Sequence, residues 1–360
     1  MLQLNSISLV HFKNYKQHAF KFQERIVGIC GANGVGKTNL LDAIYYLCFT
    51  KSYFGRTDSQ NVHSGLAGSR IEGHFKLGET SAKAVCIVRE TGRKEFLLDD
   101  QPYDKFAHHI GKFPCVIIAP DDVRIITEGS EERRRFIDAL LSQLNPDYLK
   151  RLINYNKIIQ QRNSYLKSMA ENGIADTSLL DVYDSQLSVD GEFIHEKRKL
   201  FLLEWIPRVK IFYQQISGND DPLELSYESQ LLQAPFTDLL KKSREKDIYS
   251  QRTNSGIHKD DLLMTMKRQP FRNIASQGQR KSLLFALKLS EFSALKENKH
   301  FSPLLLLDDV FEKLDEQRMH NLLDWVCMQN EGQLFITDTH PQRIDDHFKK
   351  LGARYQLLEL

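Results

Sequence analysis

One eight-residue segment near the N-terminus constrains this chain more than any other feature. It runs Gly31-Ala-Asn-Gly-Val-Gly-Lys-Thr38 and matches the pattern G-x-x-x-x-G-K-[ST]. The apolar run Ile26–Cys30 precedes it, and leucine and isoleucine at helical spacing follow it, so the segment is predicted to join a strand to a helix. Glycines let backbone N–H groups and a helix N-terminus point at a phosphate chain. The pattern therefore predicts a nucleotide site.

Each residue of this loop has a predicted part in that site. Lys37 is expected to reach the β and γ phosphates, and the Thr38 hydroxyl is expected to bind Mg²⁺. The predicted nucleotide-binding residues are Gly31, Ala32, Asn33, Gly34, Val35, Gly36, Lys37 and Thr38.

A second strand ends in a pair of carboxylates. Leu304–Leu307 is an unbroken apolar run, typical of a buried strand, and Asp308 and Asp309 follow it directly. A carboxylate at the end of such a strand can bind Mg²⁺ through water. Lys37, Asp308 and Asp309 are thus the predicted catalytic residues, with Thr38 and Asp308 as the metal ligands.

A short motif upstream of that strand resembles the L-S-G-G-Q signature of ABC-type ATPases. It runs Ala275-Ser-Gln-Gly-Gln279, with Ala in place of Leu and Gln in place of the first Gly. Ser276, Gly278 and Gln279 would bind the γ-phosphate of a nucleotide held by another subunit. A helix N-cap is the other meaning of such a serine. The signature implies that two chains dimerise around ATP.

Three further positions have counterparts in the same ATPase class. Leu314-Asp315 resembles the D-loop, which lines the dimer seam. His340 stands where these enzymes keep a switch histidine, although a solvated loop histidine is the alternative. Asp309 replaces the usual Glu and is one methylene shorter, so we expect slow hydrolysis.

The order of patterns along the chain predicts an α/β fold. Strand and helix patterns at both ends indicate a discontinuous ABC-type P-loop ATPase head, residues 1–125 and 250–360. Amphipathic helices dominate between them and predict an inserted, mainly helical arm, residues 126–249. Within the arm, Ser130 is the predicted N-cap of the first helix. In the head, a turn is expected at Gln269-Pro270.

Composition narrows the function classes. The 360 residues carry 49 basic and 47 acidic side chains, so any nucleic-acid site must come from local clustering. The five cysteines are scattered without C-x-x-C spacing, which favours a reducing cytoplasm over a disulfide framework or zinc site. No apolar stretch reaches the roughly 20 residues that span a bilayer, and no signal peptide is expected.

Several longer segments make the chain resemble the RecF family nearly from end to end. They are Phe12-Lys-Asn-Tyr15, residues 31–45, Ala119-Pro-Asp-Asp122, Arg134-Arg-Phe-Ile-Asp138, Tyr155 with Gln161-Arg-Asn163, Gly256-Ile-His-Lys-Asp-Asp-Leu262 and the signature. Two departures are Ile257 for the usual Pro and Lys13 for the usual Arg. Lys13 keeps the positive charge but lacks the planar guanidinium of Arg. It therefore cannot make the stacking or bidentate contacts that Arg makes at such a position.

The resemblance implies a cytoplasmic protein that uses ATP and Mg²⁺. It would form an ATP-dependent homodimer, bind gapped or junction DNA without sequence preference, and work with RecR and RecO in single-strand gap repair. Cationic positions near loops of the β-rich part are the DNA candidates: Lys51, Arg56, Arg70, Lys105 and Lys112. For each singly, ordinary solvated surface charge is the alternative. Arg133–Arg135 are assigned mainly to structure, because on a helix they point in different directions.

Three other functions fit parts of the pattern. A transporter nucleotide-binding subunit should carry Glu after the Asp that ends the strand, and a coupling loop that contains Gln. In this sequence Asp309 stands in place of that Glu, and no clear coupling-loop Gln is found. A chromosome-structuring or break-repair ATPase needs sustained heptads, which the arm lacks. A non-hydrolysing, ATP-gated DNA adaptor would use ATP only to hold the dimer together, and the sequence leaves it open.

Overall fold

The computed structural model describes residues 1–55, 57–173, 176–310 and 316–360, and these form two compact units. Unit 1 comprises Met1–Asp122, Phe212–Asn219 and Gln277–Leu360; unit 2 comprises Val123–Ile211 and Asp220–Ser276.

The elements follow one another along the chain. They are β1 (Leu2–Phe12), β2 (Tyr15–Lys21), β3 (Ile26–Cys30), α1 (Lys37–Phe49), β4 (Ser69–Leu77), β5 (Thr80–Val88), β6 (Lys94–Leu98), β7 (Gln101–Pro102), β8 (Cys115–Ile118), α2 (Arg124–Thr127), α3 (Ser130–Leu144), α4 (Pro146–Asn172), α5 (Ser178–Ser217), β9 (Leu223–Glu228), α6 (Phe236–Ser250), β10 (Asp261–Met266), β11 (Gln269–Pro270), α7 (Phe271–Ile274), α8 (Gln277–Lys299), β12 (Leu304–Leu307), α9 (Glu316–Asp324), β13 (Leu334–Asp338), α10 (Pro341–Lys350) and β14 (Tyr355–Glu359).

Unit 1 contains two sheets of different character. One is antiparallel, in the order β2-β1-β4-β5-β6-β7. Its strand β1 buries Leu2, Leu4, Ile7 and Leu9, as expected where one face of a sheet covers a core.

The second sheet is parallel, in the order β14-β3-β13-β12-β8. Every residue of β3, β8, β12 and β13 is buried, which explains the apolar sequences of β3, β8 and β12; β13 ends in the buried polar residues Thr337 and Asp338. Parallel strands end at one edge of a sheet, and ligands of such sheets bind beyond those carboxyl ends. The segments that follow β3 and β12 are therefore brought to the same edge.

Unit 2 is mainly helical and has buried arginines at its core. Helices α3, α4 and α6 and residues 178–211 of α5 accompany a small sheet of order β11-β10-β9. Arg162 is fully buried and pairs with Asp184 at 2.7 Å and with Asp247 at 2.8 Å. A buried guanidinium needs such partners because an unpaired charge is costly away from water.

Three sequence-based details differ from the structure. One division between the units lies between Ser276 and Gln277 rather than at 249/250, because β10 pairs with β9 and keeps residues 250–276 in unit 2. Helix α3 begins at Ser130 itself; the N-cap is Gly129, without a side-chain cap. The predicted turn at Gln269-Pro270 is the return strand β11, and Lys267 and Arg268, both at positive φ, form the turn.

Two predicted functional positions lie outside the described residues: Arg56, and the D-loop pair Leu314-Asp315. In the part of the chain that the structure describes, no helix combines the length and apolar character needed to cross a membrane.

Candidate nucleotide-binding site

The glycine-rich loop joins β3 to α1, and helix α1 begins at Lys37. This confirms the predicted strand–loop–helix arrangement. Gly36 has a φ of +120°, and a Cβ there would lie 2.6 Å from Asn14 Nδ2 and 2.8 Å from the Tyr15 hydroxyl. Only glycine fits such a close approach at positive φ.

Asn14 and Tyr15 support this loop from the hairpin between β1 and β2. Asn14 Nδ2 donates to the Val35 carbonyl at 2.8 Å, and the Tyr15 hydroxyl donates to the Gly36 carbonyl at 3.0 Å. Sequence reasoning used these residues only as marks of resemblance. Their position in the Phe12–Tyr15 segment, which carries part of the family resemblance, could have marked them as residues that support the loop.

The loop faces a cavity of about 250 Å³ at the carboxyl edge of the parallel sheet. Its walls are Asn33, Gly34, Gly36, Lys37, Thr38, Asn39, Asp308, Asp309 and Thr337. The Lys37 ammonium donates to the carbonyls of Gly31 at 2.7 Å and Ala32 at 3.0 Å. The structure thus brings a lysine, two threonines and two carboxylates into one cavity.

Asp308 accepts hydrogen bonds from two threonines of this cavity. Thr38 Oγ1 donates to its two carboxylate oxygens at 3.0 and 2.9 Å, and Thr337 Oγ1 donates to Oδ1 at 2.8 Å. Burial raises the pKa of Asp308 and the charge of Asp309 raises it further, whereas the two threonine hydrogen bonds and Lys37 oppose the shift. Thr337, on β13, was missed because its position depends on strand order.

Asp309 is half-buried and has an unusual backbone conformation. Its φ is +50°, in the left-handed region, and its N–H donates to Thr337 Oγ1 at 2.9 Å. Residues held in such sparsely populated conformations cluster at functional sites.

The predicted signature residues do not line this cavity. Ser276 is exposed and is the last residue of unit 2, whereas α8 begins at Gln277 in unit 1. Gly278 lies against Arg318, since a Cβ there would collide with Arg318 Nη1. Among the residues that the structure describes, neither Gly278 nor Gln279 contributes to the cavity wall.

His340 also lies apart from the cavity wall. It is exposed, directly precedes α10, and its N–H donates to Asp338 Oδ1 at 2.9 Å. Both readings of His340, as a switch histidine and as a loop histidine, remain predictions.

The cationic candidates for DNA contact differ in their surroundings. Lys51, Lys105 and Lys112 are exposed. Arg70 lies on β4 and forms an ion pair with Glu72 of the same strand, so its positive charge already has a partner.

Lys13 has a partner of its own. Its ammonium pairs with the buried Asp42 at 2.5 Å and lies 5.6 Å from the Phe54 ring centroid. The amine thus makes both an ion pair and an aromatic contact at the position where Arg is usual.

The sequence matches a known family model over most of its length. Residues 3–356 match the model described as RecF/RecN/SMC N terminal domain. The chain is 42% identical to the DNA replication and repair protein RecF of Flavobacterium johnsoniae, over 100% of both chains. It is 39% identical to that of Cytophaga hutchinsonii, covering 97% of this chain and 92% of the relative.

Solved structures agree with the predicted fold. The recombination mediator protein RecF with ATP, of the RecFOR pathway, superposes with a TM-score of 0.86 and 30% identity, over 94% of this chain and 92% of that one. The Smc head domain from Pyrococcus furiosus has a TM-score of 0.56 and 16% identity, over 96% of this chain and 92% of that one, a likeness of fold alone. The predicted α/β fold, an ABC-type P-loop ATPase head with an inserted helical arm, is confirmed.

Proposed function

Because the chain belongs to the RecF family of ABC-type ATPases, we propose that it is an ATP-dependent DNA-binding clamp. It would act in recombinational gap repair and replication-fork maintenance, dimerising around ATP and helping to load a recombinase. The hydrogen bonds between Thr38 and Asp308 carry this proposal, since they join the glycine-rich loop, Gly31–Thr38, to the end of β12 in one cavity.

The donor atoms of the cavity fit ATP and Mg²⁺. The Thr38 hydroxyl and the Asp308 carboxylate are hard oxygen donors within hydrogen-bond distance of each other, a pair suited to one magnesium ion. When bound, Mg²⁺ neutralises charge on the β and γ phosphates. Lys37 would exchange its two loop carbonyls for phosphate oxygens, and loop N–H groups would hold the phosphate chain.

Asp309 would orient the attacking water. Its backbone is held by Thr337, while its carboxylate is one methylene shorter than the Glu of fast ATPases. Misplacement of about 1 Å can cost on the order of a hundredfold in rate. We expect turnover below roughly 0.1 per second, against a typical enzyme median near 10 per second. ATP would then act as a timer, with the clamp closed while ATP is bound.

The second half of the site would come from another copy of the chain. Ser276, Gly278 and Gln279 would contact the γ-phosphate in trans, Asp315 would line the seam, and His340 is the switch candidate. The location of the signature residues outside the cavity wall supports a site completed by a partner.

DNA would be bound through its backbone without sequence preference. Lys51, Arg56, Lys105 and Lys112 are the candidates, and Arg70 is a weaker one because of its ion pair with Glu72. The relatives are a DNA replication and repair protein and a recombination mediator protein of the RecFOR pathway, which supports a repair role. The chain would act in the cytoplasm with RecR and RecO.

Sedimentation of the chain with ATP, ADP or no nucleotide, each with and without duplex DNA, tests the proposal. We expect ATP with Mg²⁺ to produce a dimer that binds DNA. Lys37→Met should abolish dimerisation, whereas Ser276→Arg should bind ATP and remain monomeric. Normal ATP-driven dimerisation of Ser276→Arg would contradict the head-to-head arrangement.

A non-hydrolysing adaptor is the second candidate, and the replacement of Glu by Asp309 favours it. Steady-state hydrolysis separates the two. Turnover that depends on Mg²⁺ and is lost in Lys37→Met supports the ATPase, and complete absence of turnover in a dimerising wild type supports the adaptor.

A further inference from the structure

Two segments that the proposed nucleotide site does not use meet in unit 2. Arg133, on α3, donates from Nε and Nη2 to the two carboxylate oxygens of Asp261, at 2.6 and 2.9 Å. Next to it, Arg134 donates from Nη1 to the Asp260 carbonyl at 2.7 Å. This places the guanidinium of Arg134 within one residue of Lys259. A bidentate ion pair fixes this arrangement with high geometric specificity.

The carboxylates of this region are directed at buried arginines. Asp260 accepts from Arg198 Nη1 at 2.7 Å and from the Tyr227 hydroxyl at 2.6 Å. Asp247 accepts from Arg162 Nη1 at 2.8 Å and is fully buried. These acids are therefore hydrogen-bonded to interior arginines, and Asp247 and Asp260 act on Lys259 and Arg134 only through longer-range attraction.

The loop that carries the surface cations is held rigidly. Thr253 donates from its N–H and its hydroxyl to Asn163 Oδ1, at 2.7 and 2.8 Å. The His258 ring bonds to the Tyr155 hydroxyl at 2.8 Å and to the Thr253 carbonyl at 3.1 Å. Arg252 and Lys259, on this loop, are consequently held in place by buried contacts at both ends.

Four cations lie on or beside this loop: Arg252 and Lys259 on it, Arg134 on α3 and Lys246 on α6. Lys246, Arg252 and Lys259 are exposed and Arg134 is half-buried; within the described ranges no acidic side chain pairs with any of them. Burial lowers the pKa of Lys259, the charges of Arg252, Arg134 and Lys246 lower it further, and the charge of Asp247 opposes the shift. Like charges held together on a rigid loop are unfavourable by themselves, and an anion relieves their repulsion.

We propose that Arg134, Arg252 and Lys259, flanked by Lys246, form a binding site for backbone phosphates of DNA on unit 2. The inference rests on the proposed DNA-binding function and adds to it a second contact surface besides the unit 1 lysines. A repeating phosphodiester suits the site because its cations come from one loop and from the adjacent helices α3 and α6, and each neutralised phosphate releases counterions.

The test compares two double variants of the full chain with the wild type. Arg252→Gln/Lys259→Gln removes two charges from the site. Lys267→Gln/Arg268→Gln removes the same charges from the exposed turn at the far end of β10, about 17 Å along the strand from Asp261. Affinity for a fluorescent duplex DNA is measured with ATP between about 50 and 200 mM salt.

We expect the site variant to bind DNA at least about tenfold more weakly at the low-salt end and to lose about 1.8 from the log–log salt slope, that is 0.9 for each contact. The turn variant should match the wild type, and binding of a fluorescent ATP analogue should be equal in all three. The single variant Lys259→Arg, which keeps the charge, should retain the wild-type salt slope.

The outcomes separate the two ideas. A site variant that binds DNA with the affinity and slope of the turn variant overturns this inference and leaves the proposed function standing. A wild type that binds no DNA with or without ATP overturns the proposed function and this inference with it.

Discussion

Thr38 donates its hydroxyl to both carboxylate oxygens of Asp308, at 3.0 and 2.9 Å, although 270 residues separate the two along the chain. Parallel pairing of β3 with β13, and of β13 with β12, makes this contact possible. A hydroxyl and a carboxylate from distant segments thus form one pair of oxygen ligands beside the glycine-rich loop.

Replacing Asp308 by Asn should weaken the use of Mg²⁺ while leaving the fold intact. We expect hydrolysis to need about 10 to 100 times more Mg²⁺, or to be lost, because the carboxylate is the anionic member of this pair of ligands. Burial raises the pKa of Asp308, so the ionised carboxylate lowers the stability of the folded state above that pKa. The neutral Asn variant should therefore unfold at a temperature no lower than that of the wild type. Titrating Mg²⁺ in a steady-state assay checks the first expectation, and thermal unfolding checks the second. A wild-type Mg²⁺ requirement would remove Asp308 from the metal site.

Asp309→Asn should separate ATP binding from turnover. Asn tolerates the left-handed backbone that Asp309 adopts, so the loop and its bond to Thr337 should persist. We expect ATP binding and dimerisation to match the wild type, hydrolysis to nearly stop, and the closed form to accumulate on DNA. Single-turnover hydrolysis together with sedimentation measures both. Turnover at the wild-type rate would assign the water-positioning role to another residue.

Gly36→Ala should be much more costly than Gly34→Ala. At Gly36 a Cβ meets Asn14 and Tyr15 within 3 Å at a φ of +120°, whereas at Gly34, with a φ of +84°, it meets nothing within 4 Å. We expect Gly36→Ala to lower the free energy of unfolding by about 2–4 kcal/mol and Gly34→Ala by about 1 kcal/mol. Urea denaturation of the two variants checks this. Equal losses would show that Asn14 and Tyr15 yield to the added methyl group.

Glu291 should make the stability of unit 1 depend on pH. It is buried on α8, 4.0 Å from Lys288, and burial raises its pKa to about 7, with Asp122 adding to the shift and Lys288 opposing it. Since the folded pKa exceeds the unfolded value of about 4.3, ionisation of Glu291 costs stability progressively as pH rises from about 4.5 to about 7. Glu291→Gln should therefore be more stable than the wild type at pH 8, by up to about 3 kcal/mol, and similar near pH 4.5. Urea denaturation at both pH values tests this, with the exposed Glu245→Gln as the control that should show no such difference.

Much of the candidate site could be predicted because its signals are local. The glycine pattern after β3, the helical spacing after Lys37 and the carboxylates after β12 each depend on a few consecutive residues. Local periodicity also indicated a mainly helical arm, and the structure has the long helix α5, Ser178–Ser217, in that part of the chain. These predictions required no knowledge of which strands are neighbours.

Other features were decided only when distant segments met. Thr337 reaches Asp308 because β13 lies between β3 and β12, and Asn14 and Tyr15 reach the glycine-rich loop from a hairpin that sequence patterns treat separately. Residues 250–276 join unit 2 because β10 pairs with β9, a contact between strands that α6 separates in sequence. Strand order depends on how whole faces bury apolar surface against one another, and no periodicity in a single segment carries that information.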